Sequence, residues 1–287
     1  MNPVLSDVEV PGGTLRVARF GTGPRVIVAV HGITASLMAW AGVARRLPAE
    51  WSLVAMDLRG RGRSAGLPGP YGLARHAEDV NLVARSAGAG SGVVLTGHSM
   101  GAYVAALAAA GHDYARVVLV DGGLPLPMPP GADPDAVLEA TLGPALARLD
   151  QTFPSVGAYL DFFRAHPAFA EAWTDDVEEY VRYDAWGPEG AVRSRARREP
   201  VREDGRWMLT EGEAVGAALR AITSPLSLLR APRGLLNQPV GMLPDELAAA
   251  WVRRLPALED EVLDDCNHYT ILFDDRAASL VAAHLSR

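Results

Sequence analysis

The sequence predicts an α/β fold: a mostly parallel sheet with helices on both faces, interrupted by an inserted helical cap. Three observations predict it. Four short runs are apolar throughout, which suits strands buried on both faces. Helical patterns separate these runs, as they do in βαβ units. The alternation stops after residue 123 and resumes near residue 225.

Taken in order, residues 4–10 and 14–20 flank Pro11-Gly12-Gly13 and read as a β-hairpin. The four buried runs are 26–30, 52–56, 93–96 and 117–120. Helical patterns at 37–47, 73–87 and 102–110 separate them. From 124 to 222 the signals are mainly helical, best at 135–149, 156–165, 177–185 and 213–222. A structureless loop of that length is improbable in a compact domain, so the stretch reads as a cap. The expected division is a core of residues 1–123 and 223–287 around a cap of residues 124–222. Strands resume at 225–229 and 258–263, and a helix at 277–285 closes the chain.

Composition bounds the function. With 49% hydrophobic and 21% charged residues, the 287-residue chain is neither disordered nor fibrous. A net charge of -7 argues against a nucleic-acid partner, which needs a basic face. One cysteine, Cys266, excludes an internal disulfide. Residues 1–17 lack the basic and apolar regions of a signal peptide. The apolar stretch 102–110 is far shorter than the ~20 residues that span a bilayer. The expectation is a cytoplasmic protein without a membrane partner. Every basic side chain is arginine, and Ala, Gly and Pro abound, which suggests a GC-rich, bacterial coding sequence.

Gly97-His98-Ser99-Met100-Gly101 follows an apolar run and precedes an Ala-rich helical one. G-x-S-x-G in that setting is a nucleophile elbow, a sharp turn that lifts a serine hydroxyl above the sheet edge. The turn strains the serine, and the flanking glycines remove side chains that would clash. The helix N-terminus favours a developing anion. His98 points elsewhere on so sharp a turn and reads as structural.

Four motifs occur together: His31-Gly32, the run Asp57-Leu58-Arg59-Gly60-Arg61-Gly62-Arg63-Ser64, Gly97 to Gly101, and Asn267-His268-Tyr269. In this order they resemble the α/β-hydrolase superfamily over nearly the whole chain outside the cap. The resemblance implies that the backbone N–H groups of Ile33 and Met100 form an oxyanion hole. It also implies that His268 takes the Ser99 proton and returns it to the leaving group. His31, Asp57 and Arg59 read as braces of their turns, and Cys266 as a buried thiol.

The acid is less direct. The family most often carries it after the strand at 225–229, where this chain has Asn237. An amide cannot stabilise an imidazolium as a carboxylate does. Asp121, at the end of the strand beside the nucleophile strand, is the expected acid. The competing reading is that Asp121 only caps the Gly122-Gly123 turn. Asp245 is a third candidate.

The cap concentrates aromatics: Phe153, Tyr159, Phe162, Phe163, Trp173, Tyr180, Tyr183 and Trp186. Most belong to a core, but some are expected to face the nucleophile and bind the apolar part of a small-molecule substrate. Arg193, Arg195, Arg197, Arg198, Arg202 and Arg206 interleave with Glu199, Glu203 and Asp204. This reads as solvated ion pairing. The sharper alternative is recognition of a carboxylate on the substrate.

The expected function is that of a cofactor-free, metal-free serine hydrolase of a small carboxylic ester or lactone, of the carboxylesterase or lactonase kind. Cleavage of a C–C bond in a vinylogous diketone by the same Ser and His is the near alternative. A weakly active ligand-binding pseudoenzyme is the more distant one, and Asn237 is its ground. Epoxide hydrolases and haloalkane dehalogenases need an Asp where this chain has Ser99.

Overall fold

The computed structural model describes residues 3–88 and 92–287. Met1 and Asn2, the start of the segment read for a leader, lie outside the described residues. Eight strands form one sheet in the order β1-β2-β4-β3-β5-β6-β9-β10. They are β1 (Val4–Val10), β2 (Gly13–Phe20), β3 (Arg25–Val30), β4 (Trp51–Met56), β5 (Val94–His98), β6 (Arg116–Val120), β9 (Leu226–Arg230) and β10 (Leu258–Val262). β1 and β2 are antiparallel to each other, and β2 is antiparallel to β4. Every other pairing is parallel.

Period-two alternation sorts each central strand between two helical layers. Val26, Val28 and Val30 of β3 face the layer of α2 (Leu73–Ala87), α3 (Met100–Ala109), α8 (Gly212–Ala221) and α9 (Asp245–Arg254). Ile27 and Ala29 face the layer of α1 (Ala41–Arg45) and α10 (Asp275–Leu285). A short 3₁₀ turn, Leu37–Trp40, leads into α1.

Between β6 and α8 the chain forms α4 (Pro134–Leu149), α5 (Val156–Arg164), α6 (Asp175–Asp184) and α7 (Arg198–Thr210). A two-stranded ribbon, β7 (Ala185–Trp186) with β8 (Arg193–Ser194), lies between α6 and α7. Three of the four helices start on a side-chain cap: Asp133, Ser155 and Thr174 each accept a backbone N–H of the first turn. α7 begins without one.

Two helices lie where the sequence reading placed none. α7 covers the latter part of the basic run, whose Arg198, Arg202 and Arg206 form exposed ion pairs. α9 fills the interval between β9 and β10. β10 forms at the edge of the sheet, where a strand was expected, with four of its five residues exposed. Among the described residues no helix is long and apolar enough to cross a membrane.

Candidate active site

Ser99 sits between β5 and α3 with φ 56°, a left-handed conformation that a non-glycine residue adopts only under constraint. The constraint is the packing on either side. A Cβ on Gly97 would lie 1.9 Å from the carbonyl oxygen of Gly101, and one on Gly101 would lie 2.3 Å from that of Val30. Only glycine at both positions lets β5, α3 and β3 approach this closely. The Ser99 N–H donates to the Val120 carbonyl at 2.9 Å, which fixes the turn against β6.

The hydroxyl of Ser99 points at a histidine. Ser99 Oγ lies 3.0 Å from His268 Nε2. His268 Nδ1 lies 2.6 Å from Asp121 Oδ2. An ionised carboxylate only accepts, so Nδ1–H donates and Nε2 is left to accept the serine proton. Both His268 and Asp121 are buried. Asp121 Oδ1 accepts the Ala231 N–H at 3.0 Å, and the Asp121 N–H donates to Leu229 at 2.7 Å. The carboxylate is thereby clamped at the end of β9, although its residue leaves β6.

The loop that carries His268 is held from several sides. The His268 N–H donates to Arg233, and its carbonyl accepts from His98 Nε2 at 2.7 Å. Burial and the neighbouring His268 ring keep His98 well below the usual imidazole range, so it stays neutral. Asn267 Oδ1 accepts the N–H groups of Tyr269 and Thr270. Cys266 donates to the Leu263 carbonyl at 3.1 Å. Burial, with the Asp121 charge, pushes its thiol up to about 12, so it holds no reactive thiolate.

The other acid candidates lie elsewhere. Asn237, at φ 60°, turns its loop and accepts from Asn267 Nδ2 at 3.2 Å. Asp245 opens α9 and pairs with Arg230 at 2.8 Å, its own side chain largely exposed.

The Ile33 N–H has no acceptor among the described residues. The Met100 N–H is the first of α3 and has no acceptor within its helix. Both residues line the cavity in front of Ser99. The loop of Ile33 is braced as its motifs suggest. His31 Nε2 accepts from the Leu58 N–H at 3.0 Å, and burial lowers its pKa to about 3. Asp57 accepts from the N–H groups of Leu37 and Arg63 and from the Tyr183 hydroxyl. Even so, burial pushes its pKa up to about 6. Arg59 pairs with Asp79 at 2.5 Å and donates to the carbonyls of Pro68 and Pro11.

Arg61 carries a role that the sequence reading missed. Its Nε donates to the Ile33 carbonyl at 2.9 Å, and its Nη1 binds Asp204 of α7. Asp204 also meets His76 Nε2 at 2.9 Å and accepts the Gly72 N–H at 2.6 Å. The side chains of Asp204, Arg61 and His76 are fully buried. Burial works against the carboxylate charge, but the Arg61 guanidinium and the His76 ring hold its pKa down to about 2. Asp204 is therefore no member of a solvated ion-pair face.

A cavity of about 200 Å³ opens on Ser99 and His268. Leu138, Thr141 and Leu142 of α4, Met208 and Leu209 of α7, and Met128 form much of its wall. Among its lining residues there is no Asp, Glu or Arg. Of the eight aromatics expected to supply its underside, only Tyr180 lines it. The rest serve elsewhere: Phe153, Tyr159, Phe162 and Phe163 pack edge to face on one another. Tyr159 and Phe163 of this group meet a buried Arg148–Asp184 pair at 2.9 Å. The basic run also lies off the cavity. Arg202 and Arg206 pair with Asp135, and Arg198 with Asp150, on the outside of α4 and α7.

The chain is similar to known proteins. Residues 27–283 match the model of the Alpha/beta hydrolase family. A stretch of 118 residues is 36% identical to an N-formylmaleamate deformylase of Pseudomonas putida. That match spans 40% of this chain and 44% of the relative, less than half the length of either. Among solved structures, an E-2-(acetamidomethylene)succinate hydrolase superposes over 99% of both chains with a TM-score of 0.81 and 22% identity. An N-formylmaleamic acid deformylase of Pseudomonas putida superposes over 98% of this chain and 100% of its own at 0.69 and 23%. At such identities the two structures speak for the fold alone. The family model spans nearly the whole chain, and this protein belongs to the α/β-hydrolase family.

Proposed function

We propose that the protein is a serine hydrolase of a small, uncharged carboxylic ester or lactone, with Ser99, His268 and Asp121 as its triad. The observation that carries the reading is the hydrogen-bonded line from Ser99 Oγ through His268 to Asp121 at the floor of an apolar cavity. Ser99 Oγ attacks the carbonyl carbon while His268 Nε2 takes its proton. The Ile33 and Met100 N–H groups hold the oxyanion, each donor supplying about 3–4 kcal/mol. His268 then protonates the departing alkoxide, leaving an acyl-serine. Water attacks that ester, again through His268, and releases the acid and Ser99. In this reading residues 124–222 act as a cap, with α4 and α7 as the part that meets substrate.

The partial match to a deformylase favours a second reading, cleavage of a C–N bond by the same triad. The named relatives act on compounds whose names are those of acids, and anionic groups call for cationic partners. The lining here supplies none. That supports a neutral acyl group in either reading. A C–C bond hydrolase uses the same residues, and nothing in the lining favours it. The 2.6 Å contact of Asp121 with His268 Nδ1 supports an active triad over the pseudoenzyme reading, whose ground is Asn237.

The test is turnover of p-nitrophenyl acetate and butyrate beside the corresponding p-nitroanilides, with fluorophosphonate labelling. The esters are expected to turn over faster than the anilides, and Ser99→Ala is expected to abolish turnover and labelling together. Labelling that survives Ser99→Ala overturns the mechanism. Anilides that outrun esters transfer the assignment to C–N cleavage.

A further inference from the structure

The basic run of the insertion divides into two halves of different character. Its helical half is neutralised: Arg198, Arg202 and Arg206 each have an aspartate partner from α4 or its C-terminal end. Its extended half is organised otherwise. Val192, Ser194 and Ala196 turn inward and are buried, while Arg193, Arg195 and Arg197 alternate with them toward the other side. Arg63, exposed in the loop after β4, comes to the same place from the core.

Together with Arg198 these four arginines line a groove of about 720 Å³, which also carries Asp150 and Glu199 and shares no residue with the cavity at Ser99. Arg197 pairs with Glu199 at 3.1 Å. Among the described residues, the guanidinium groups of Arg63, Arg193 and Arg195 form no salt bridge, although the backbone N–H groups of Arg63 and Arg195 donate to Asp57 and Asp184, in a chain whose net charge is -7. Arg195 is partly buried and donates through Nε to the Tyr183 carbonyl at 2.9 Å. Burial and the charge of Arg63 lower its pKa, against the opposing pull of Tyr183, Asp184 and Asp57. Arginines outnumber carboxylates along this groove, and an anion placed among like charges lowers the cost of holding them together. Trp186 borders the same groove. It is 47% exposed, the only tryptophan so exposed among the described residues, with the Arg193 guanidinium over its ring at 4.7 Å from the centre.

We propose that this groove binds a phosphorylated compound bearing an aromatic ring, of the nucleoside diphosphate class. Guanidinium forks match phosphate oxygens in pairs, and an exposed indole offers a stacking face for a base. The site is independent of what Ser99 hydrolyses.

The test is calorimetric titration of the full chain with ADP, pyrophosphate and adenosine at low ionic strength. ADP is expected to bind more tightly than either fragment. Arg63→Ala with Arg195→Ala is expected to weaken ADP by about tenfold or more. Arg202→Ala with Arg206→Ala removes the same charge from the paired half and is expected to leave binding unchanged. Trp186→Ala is expected to bring ADP down to the affinity of pyrophosphate. Fluorophosphonate labelling of Ser99 reports folding in each variant, and Arg63→Ala alone, at an exposed side chain, stands in if Arg195→Ala fails to fold. The proposal is overturned if ADP does not bind, if the two double variants weaken it equally, or if ADP binds no better than pyrophosphate.

Discussion

Replacing Asp121 by Asn changes one atom, and the structure says how that atom acts. Asp121 Oδ1 accepts the Ala231 N–H, and Oδ2 accepts from His268 Nδ1. In Asp121→Asn one of these positions becomes an NH₂ donor. Turned toward Ala231 it would face another donor, so the amide keeps its oxygen there and presents NH₂ to His268. Nδ1 must then accept, which places the ring proton on Nε2, facing Ser99. The base is thereby in the wrong tautomer for its task. In serine proteases the same exchange costs about 10⁴ in turnover, which corresponds to about 5 kcal/mol of barrier. A loss of that order in kcat on p-nitrophenyl acetate is expected, with the melting temperature within a few degrees of wild type. Asn237→Asp, whose side chain meets Asn267 and not the imidazole, is expected to leave turnover nearly unchanged. Asp121→Asn activity within tenfold of wild type, or a gain of orders of magnitude in Asn237→Asp, would refute the assignment.

Two further outcomes follow from the cavity and the buried cluster. Leu142→Trp fills the cavity wall at α4, so kcat/KM for p-nitrophenyl octanoate is expected to fall by tenfold or more relative to acetate; equal losses on both esters would contradict the placement. Asp204 has a folded pKa depressed from 3.8 to about 2, so its stabilisation is present above pH 4 and is lost as pH falls from 4 toward 2, by about 2–3 kcal/mol. Asp204→Asn is expected to lack that acid limb in melting curves and to destabilise the protein at pH 7 by about 3–5 kcal/mol, because Arg61 is left buried without its counter-charge; a variant with the wild-type acid profile would show that the limb comes from other carboxylates.

Central strands were legible because residues such as those of β3 are apolar on both faces, which no exposed segment tolerates. β10 is an edge strand and buries only what its one neighbour covers. α7 was obscured by its charges, which hide an inward stripe of Val201, Asp204, Gly205 and Met208. Nothing local shows that Asp204 is buried: an acid at a core position makes sense only beside Arg61 and His76, which are distant in sequence. α9 carried a readable stripe in Leu247, Ala248 and Trp251 that went unused. Asp121 could be weighed against Asn237 only through strand adjacency, since β6 lies beside both β5 and β9. The cap aromatics were assigned by residue type, and type alone does not say which rings pack on each other and which meet a ligand.

The contact of Asp204 with Arg61 and His76 governs how far the molecule can be reduced. Arg61 and His76 precede the insertion in the chain, while Asp204 lies inside it. A minimal hydrolase made by splicing residue 123 to residue 223 would strand a guanidinium and an imidazole in the interior. A foreign lid transplanted onto this sheet would have to deliver an acid to the same point. Because Arg61 also grips the Ile33 carbonyl, a lid that arrives without that acid would loosen the residue proposed to hold the oxyanion. Lid exchange in this protein therefore has to carry over α7 together with the walls of the cavity.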